Sequence, residues 1–98
     1  MHFEWDENKN RANLAKHKIS FETASLVFTD PQALSIEDCF VGGEQRWQTL
    51  GMVSGVTVIV AHTYRDEPAN EVIRLISARK ATAGERRAYA TNQKRSGQ

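Results

Sequence analysis

Arg74-Leu-Ile-Ser-Ala-Arg-Lys80 sets a cation into an otherwise apolar run and places two more at its end. A buried guanidinium is costly without a partner, so Arg74 is either paired with a carboxylate inside the fold or turned toward an open groove. Arg79 and Lys80 stand just before Thr82-Ala-Gly-Glu85, where a Thr is followed three residues later by Glu. That spacing is a capping box, in which each side chain satisfies a backbone donor at a helix start. Helix N-termini favour anions, so two cations beside one read as a phosphate contact. His62 and Tyr64 share a face of the preceding apolar segment and Arg65 ends it, while Glu44 and Arg46 flank the start of another. His62 is either a satisfied strand histidine or a proton carrier. Tyr89 is the anchor of the last helix, its hydroxyl within possible reach of the basic cluster. Trp47 reads as packing, and His17 either as a helix-terminating surface residue or as one more polar group at the same groove.

Other chemistries lack their residues. His2, His17, His62 and Cys39 are far apart, with no pair at helical ligand spacing and no CxxC or HExxH, so no metal site or cofactor is expected. No Gly-x-Ser-x-Gly turn supports a nucleophilic triad, and Gly42-Gly43 lacks the Lys-Ser/Thr ending of a phosphate-binding loop.

The net charge of +1 over 98 residues hides a polarised chain. Residues 71–98 carry seven Lys and Arg against two Glu, a net +5. Residues 1–70 carry six against ten, a net −4. A basic terminal segment fits either an acidic, phosphate-rich partner or a solvated helix with none. One cysteine permits no internal disulfide and suits a reducing compartment. The longest apolar stretch, near residues 56–61, is far short of the roughly 20 residues that span a bilayer. The first residues lack the basic and apolar regions of a signal peptide. These features predict one domain over residues 1–98, cytoplasmic and without a membrane partner.

The elements that must position these groups follow from periodicity. Phe3-Glu-Trp5 alternates aromatics and predicts a short strand. Asp6 caps a polar helix over residues 7–17, with Ala12, Leu14 and Ala15 as its apolar contacts. Ser20 caps a second helix over residues 21–28, placing Phe21, Ala24, Val27 and Phe28 on one face, and Asp30-Pro31 stops it. Strands are then predicted over residues 33–38, 45–53, 56–65 and 71–80, with turns at Gly42-Gly43, Ser54-Gly55 and residues 66–70. The apolar 56–65 strand is expected at the centre. Strict alternation in the last strand puts Val72, Arg74, Ile76 and Ala78 on one face and Ile73, Leu75, Ser77 and Arg79 on the other. A helix from Thr82 to about residue 93 closes the order, with Lys94 and Arg95 near its C-terminal end and residues 96–98 frayed. The class is α+β: a short N-terminal strand, two helices, an antiparallel sheet of about four strands and a C-terminal helix.

Phe3-Glu-Trp-Asp6, Lys9, Asn13-Leu-Ala-Lys-His17, Ile19-Ser-Phe21, Ala24, Phe28 and Asp30 resemble the N-terminal signature of the BrnT toxins. The likeness continues through Gly43-Glu, Arg46, Gly51, Ile73-Arg-Leu-Ile-Ser-Ala-Arg-Lys-Ala81, Glu85-Arg86 and Tyr89, covering about residues 3–90. Lys18 departs from it, standing where the family usually has glycine, and a lysine there in the left-handed conformation is strained. The 66–70 turn is a second local difference. The resemblance implies a RelE-like fold and a type II toxin that cleaves RNA and blocks translation. It implies a BrnA-like antitoxin, a hetero-oligomer with it, and operator DNA reached only through that partner.

RNA carries its own nucleophile in the 2′-hydroxyl, so cleavage without a metal needs a base, charge stabilisation at phosphorus and a proton for the leaving oxygen. On this reading Arg79 and Lys80 hold the scissile phosphate, Arg46 and Arg65 extend the phosphate track with Arg74, and His62 or Tyr89 assists proton transfer. The rival reading is a non-catalytic module whose basic segment docks an acidic protein. A lone DNA-binding regulator ranks last, because no helix-turn-helix with a basic recognition helix is evident.

Overall fold

A computed structural model describes residues 1–96. The elements are β1 (His2–Glu4), α1 (Glu7–His17), α2 (Phe21–Ala24), a 3₁₀ turn (Ser25–Thr29), β2 (Leu34–Val41), β3 (Glu44–Val53), β4 (Val56–Glu67), β5 (Asn70–Lys80) and α3 (Ala83–Ser96). The strands form one five-stranded sheet in the order β1-β5-β4-β3-β2. The α+β class and the central position of the apolar strand, β4, are as expected. The sheet is mixed rather than wholly antiparallel, because β1 lies parallel to β5 at one edge. Both strands that expectation ended near residues 65 and 71 run further, so that Glu67 pairs with Asn70 across a Pro68-Ala69 turn. The expected fray of residues 96–98 falls at and beyond the described limit: Ser96 closes α3, and Gly97 and Gln98 lie outside it. The side chains of Lys94 and Arg95 likewise lie outside the described residues.

Local signals work as chemistry requires. Asp6 accepts from the Asn8 and Lys9 amides, and Ser20 accepts from Thr23 N–H. Asp30 is extended before Pro31, ending the helical segment. Positive φ at Gly42, Gly43, Ser54 and Gly55 makes two tight hairpins, β2–β3 and β3–β4. Lys18 adopts φ 63° and donates its amide to Leu14 O, closing α1 in the left-handed conformation that the sequence leads one to expect. For a residue with a Cβ that conformation costs about 1–2 kcal/mol. Lys18→Gly is therefore expected to raise stability by roughly 0.5–1 kcal/mol, less than the full strain because glycine loses more freedom on folding. A urea midpoint that moves up at constant m would show this; no change or a fall would contradict it.

Two elements differ from expectation. The second helix was expected over residues 21–28, but only Phe21–Ala24 is α-helical and Ser25–Thr29 tightens to 3₁₀. The Ser25 and Thr29 hydroxyls donate to the carbonyls of Glu22 and Leu26, an alternative the helix ladder must compete with. Phe21, Ala24 and Val27 are nonetheless fully buried, as the shared face requires. In α1 the buried residues are Asn10 and Asn13, while Ala12, Leu14 and Ala15 face solvent. Asn10 Oδ1 accepts from Phe21 N–H, joining α1 to α2. Asn13 donates to Ile19 O and Ala78 O and accepts from Ala78 N–H, joining α1 to the sheet. Helix α1 docks by hydrogen bonds where the pattern anticipated apolar contacts.

The core splits by face. Ile19, Phe21, Ala24, Val27, Val53, Val58, Val60, Ile73, Leu75 and Ala78 pack under α1, α2 and the 3₁₀ turn. On the other face Leu50, Ile59, Ala81 and Tyr89 pack under α3, with Leu34 beside them. The second cluster is smaller, so α3 covers one corner of its face and leaves the rest of the sheet open.

Candidate functional site on the open sheet face

Strand β5 does not alternate strictly. Ala61 pairs with Ser77 and His62 with Leu75, so Ile76 is an extra residue, a β-bulge. Residues on either side of it change phase. Ile73, Leu75 and Ala78 point to the α1–α2 core. Arg74 lies opposite Thr63, and Arg79 lies opposite Ile59 of the α3 cluster. Directly opposed residues share a face, so Arg74, Ser77 and Arg79 share the α3 face. The expected split, with Arg74 and Arg79 on opposite faces, is corrected by this single inserted residue.

Neighbouring strands add to the same face. Arg46 pairs with Thr63 from the other side, so Arg46, Thr63 and Arg74 form a row across β3, β4 and β5. Arg65, two residues beyond Thr63, also projects there and donates to Glu4 Oε1 at 2.9 Å. Arg74 donates to Glu44 Oε1 at 2.8 Å. Arg46 forms no ion pair among the described residues. Arg65, Arg74, Glu4 and Glu44 all keep at least 40% of their side-chain surface in water. Exposed pairs of this kind add little to stability, so an anionic ligand can replace the carboxylate at small cost.

Arg79 is held more firmly. Its two NH groups reach both Glu85 oxygens, at 2.8 and 3.0 Å. Glu85 also accepts from Thr82 N–H, and Thr82 Oγ1 accepts from Glu85 N–H, completing the expected capping box. The Arg79 guanidinium, with the Thr82 amide, draws the Glu85 carboxyl down to about 2, against the opposing effect of burial. The hydrogen bond to Glu85 raises Arg79 in turn. An unfolded chain takes up its Glu85 proton near the ordinary value of 4.5, and the folded chain only near 2. The pair's stabilisation is thus complete above pH 4.5 and fades as pH falls toward 2. Glu85→Gln is expected to cost about 1–2 kcal/mol at pH 7, discounted for partial exposure, and to flatten the acid dependence. Urea melts at pH 3 and 7 check both; an equal acid loss in variant and parent would reject the assignment.

Of the residues expected at the site, two turn to the other side of the sheet and a third is buried under α3. Lys80 pairs with Val58, whose side chain is in the α1–α2 core, and lies in a hollow with Lys18, Thr23 and Ser54 on that side. Alternation at the strand end separates it from Arg79. His62 also faces the α1–α2 side, 3% exposed, with its ring edge-on to Phe28 at 4.9 Å. Thr63 O can only accept, so His62 Nδ1–H donates to it, and Nε2 accepts from Thr49 Oγ1–H at 2.7 Å. The Ser35 hydroxyl then donates to Thr49 Oγ1 at 2.8 Å. Burial lowers His62 below its ordinary value, so it stays neutral at pH 7. It is the satisfied strand histidine. Trp47 lines an apolar hollow beside it, with Tyr64 and Ser35, on the face away from the arginines.

Tyr89 lies beneath α3, 2% exposed, and donates its hydroxyl to Asp30 Oδ2. Burial and the Asp30 carboxylate push the phenol up to about 12. Asp30 also accepts from Met52 N–H and Gln32 N–H. These bonds outweigh its burial and hold its carboxyl below the ordinary value. Tyr89 thus ties α3 to the segment before β2. Glu44, read from the sequence as flanking a strand start and able to converge on the basic groove, is the carboxylate set against Arg74, on the strand that carries Arg46.

No group of three or more His, Cys, Asp or Glu gathers as a metal-ligand cluster among the described residues. No described helix is long and apolar enough to cross a membrane. A family model described as "Ribonuclease toxin, BrnT, of type II toxin-antitoxin system" matches residues 5–85. No curated protein matches the chain.

Proposed function

Because the chain belongs to the BrnT family of ribonuclease toxins of type II toxin–antitoxin systems, we propose that its open arginine face binds RNA and cleaves it through the 2′-hydroxyl, without a metal ion. The observation that carries this is the gathering of Arg46, Arg65, Arg74 and Arg79 on one face by three adjacent strands and one bulge. Guanidinium groups match phosphate geometry and stay charged at any working pH. Arg46 and Arg74, flanking Thr63, hold the scissile phosphate and stabilise charge on it as the 2′-oxygen attacks. Arg65 extends the track. Arg79 fixes the N-terminal end of α3 through Glu85 and adds positive potential beside that phosphate. Glu44 takes the 2′-hydroxyl proton once phosphate displaces it from Arg74, a role within reach of a surface carboxylate. As the 2′-oxygen bonds to phosphorus, the bond to the 5′-oxygen breaks. That leaving oxygen takes its proton from solvent water on the open face, leaving a 2′,3′-cyclic phosphate. Lys80, His62 and Tyr89 support the fold rather than the chemistry.

On the same reading the protein acts in the cytoplasm as one domain and inhibits translation. A BrnA-like antitoxin neutralises it in a hetero-oligomer and brings it to operator DNA. Arg46→Ala/Arg74→Ala is the direct test, since both side chains leave the cores untouched. The double variant is expected to lose at least about a hundredfold in RNA cleavage, the scale of losing oxyanion-stabilising donors, with an unchanged urea midpoint. Cleavage is expected to persist in EDTA. Full activity in the folded double variant would reject the site, and loss in EDTA restored by a divalent ion would reject the metal-free route.

A further inference from the structure

The arginine face ends at an uncovered stretch of strand edge. Strand β1 pairs with β5 only through residues 72–74, so on that edge Ile76 and Ser77 of the bulge have no neighbouring strand. Helix α1 crosses there and leaves a cleft of about 230 Å³. Its walls include Lys9, Lys16 and His17 from α1 and Ile76 and Ser77 from β5, with Asn13 at the seam. No acidic residue lines it.

Three features mark this cleft as a place for an anion. Lys9 and Lys16 lie seven residues apart, two helical turns or about 10 Å, so they stand along one side of the cleft. Among the described residues, no ion pair or side-chain hydrogen bond engages Lys9, Lys16 or His17. Arg65, Arg74 and Arg79, by contrast, each have a carboxylate. The Asn13 amide is fully committed to Ile19 and Ala78, so the floor is fixed and offers no competing acceptor to the lysines.

Ser77 connects this cleft to the proposed site. It lies opposite Ala61, on the face of Arg74 and Arg79, and also forms part of the cleft wall. A strand of RNA held at Arg74 therefore passes over the bulge at Ser77 and reaches Lys9 and Lys16 without crossing covered surface. We propose that the α1–β5 cleft is a second phosphate subsite, taking backbone phosphates of the RNA that flank the cleaved linkage. The inference rests on the RNA-cleaving reading of the arginine face. It adds a length requirement: the substrate is a single strand long enough to span both places. RNA is favoured over an acidic protein because the basic residues of the cleft are continuous with the arginines through Ser77.

Fluorescence anisotropy with labelled single-stranded RNAs of four and twelve nucleotides tests it, using the whole chain, Lys9→Ala/Lys16→Ala, and the arginine double variant. Removing two contacts to single-stranded RNA lowers the slope of log K against log salt by about 1.4. Affinity for the twelve-mer is expected to fall about tenfold or more at 0.1 M salt, and the gain on lengthening from four to twelve nucleotides is expected to shrink. A lysine variant with unchanged twelve-mer affinity and salt slope, beside a weakened arginine variant, overturns the subsite and leaves the proposed function standing. An arginine variant that binds and cleaves like the parent overturns that function itself. A lysine variant that loses only antitoxin affinity makes the cleft a protein contact and overturns the subsite too. Equal urea midpoints for all three proteins keep misfolding out of the comparison.

Discussion

Asn13→Ala is expected to destabilise the protein by about 3–5 kcal/mol, because one side chain satisfies three backbone groups at once. It donates to Ile19 O at 2.9 Å and Ala78 O at 2.8 Å, and accepts from Ala78 N–H at 3.1 Å. Leaving a buried backbone group unmade costs about 1–3 kcal/mol. Water entering from the α1–β5 cleft repays part of that, which sets the estimate below the full sum. Against a total stability of roughly 5–15 kcal/mol, the loss is large. Asn13→Asp is the sharper test. It keeps an acceptor for Ala78 N–H but turns a carboxylate onto two carbonyl oxygens. It is expected to match the alanine variant at pH 7 and to recover relative to it near pH 3, where a protonated carboxyl can donate. Urea melts at the two pH values read this directly. A cost under about 1 kcal/mol for Asn13→Ala would mean that the apolar core alone holds α1.

The second large effect is expected at Gly51. A Cβ there would lie 2.7 Å from Val27 Cγ1, 2.9 Å from Val27 O and 3.3 Å from its Cα. The backbone of the 3₁₀ turn rests directly on β3, with no room between them. Gly51→Ala is expected to cost about 2–3 kcal/mol by overpacking. Adding Val27→Ala removes the methyl clash but leaves the carbonyl in place, so rescue is partial. The double variant is expected to cost about 1 kcal/mol less than the two single costs together. Strict additivity in that cycle would show that the two residues do not share the contact.

How far the sequence was legible follows from the range of the interactions. Caps and hairpins are local, so Asp6, Ser20, Ser54-Gly55 and the Thr82/Glu85 box could be read directly and hold in the structure. The burial of Tyr89 under the last helix was also legible, from one large side chain among small and charged ones. The docking of α1 was not, since asparagine marks a surface in any hydropathy reading and its backbone partners lie far along the chain. The bulge at Ile76 escaped for a related reason. Alternation assumes a regular ladder, and only the pairing of Ala61 with Ser77 and His62 with Leu75 reveals the extra residue. The same phase error hid which candidates share a surface: Arg46, Arg65, Arg74 and Arg79 lie on one face, Lys80 and His62 on the other, and Tyr89 is buried under α3. His62 was singled out because histidine suits proton transfer. Its burial against Phe28 and its closed hydrogen-bond chain could be known only from the fold.

The pairing of β1 with β5 bears on when this surface comes into existence. His2 lies beside Val72, and Glu4 of that first strand pairs with Arg65 near the far end of β4. Contacts between distant parts of a chain form late, since the intervening loop must close first. During synthesis the N-terminal strand emerges with no partner, and Arg46 and Arg65 precede the strand that bears Arg74 and Arg79. A chain halted before residue 74 therefore has half the arginines and no bulge to align the rest. The four arginines come onto one face only where β5 is paired with β4 through the bulge, so that surface needs the chain as far as about residue 80.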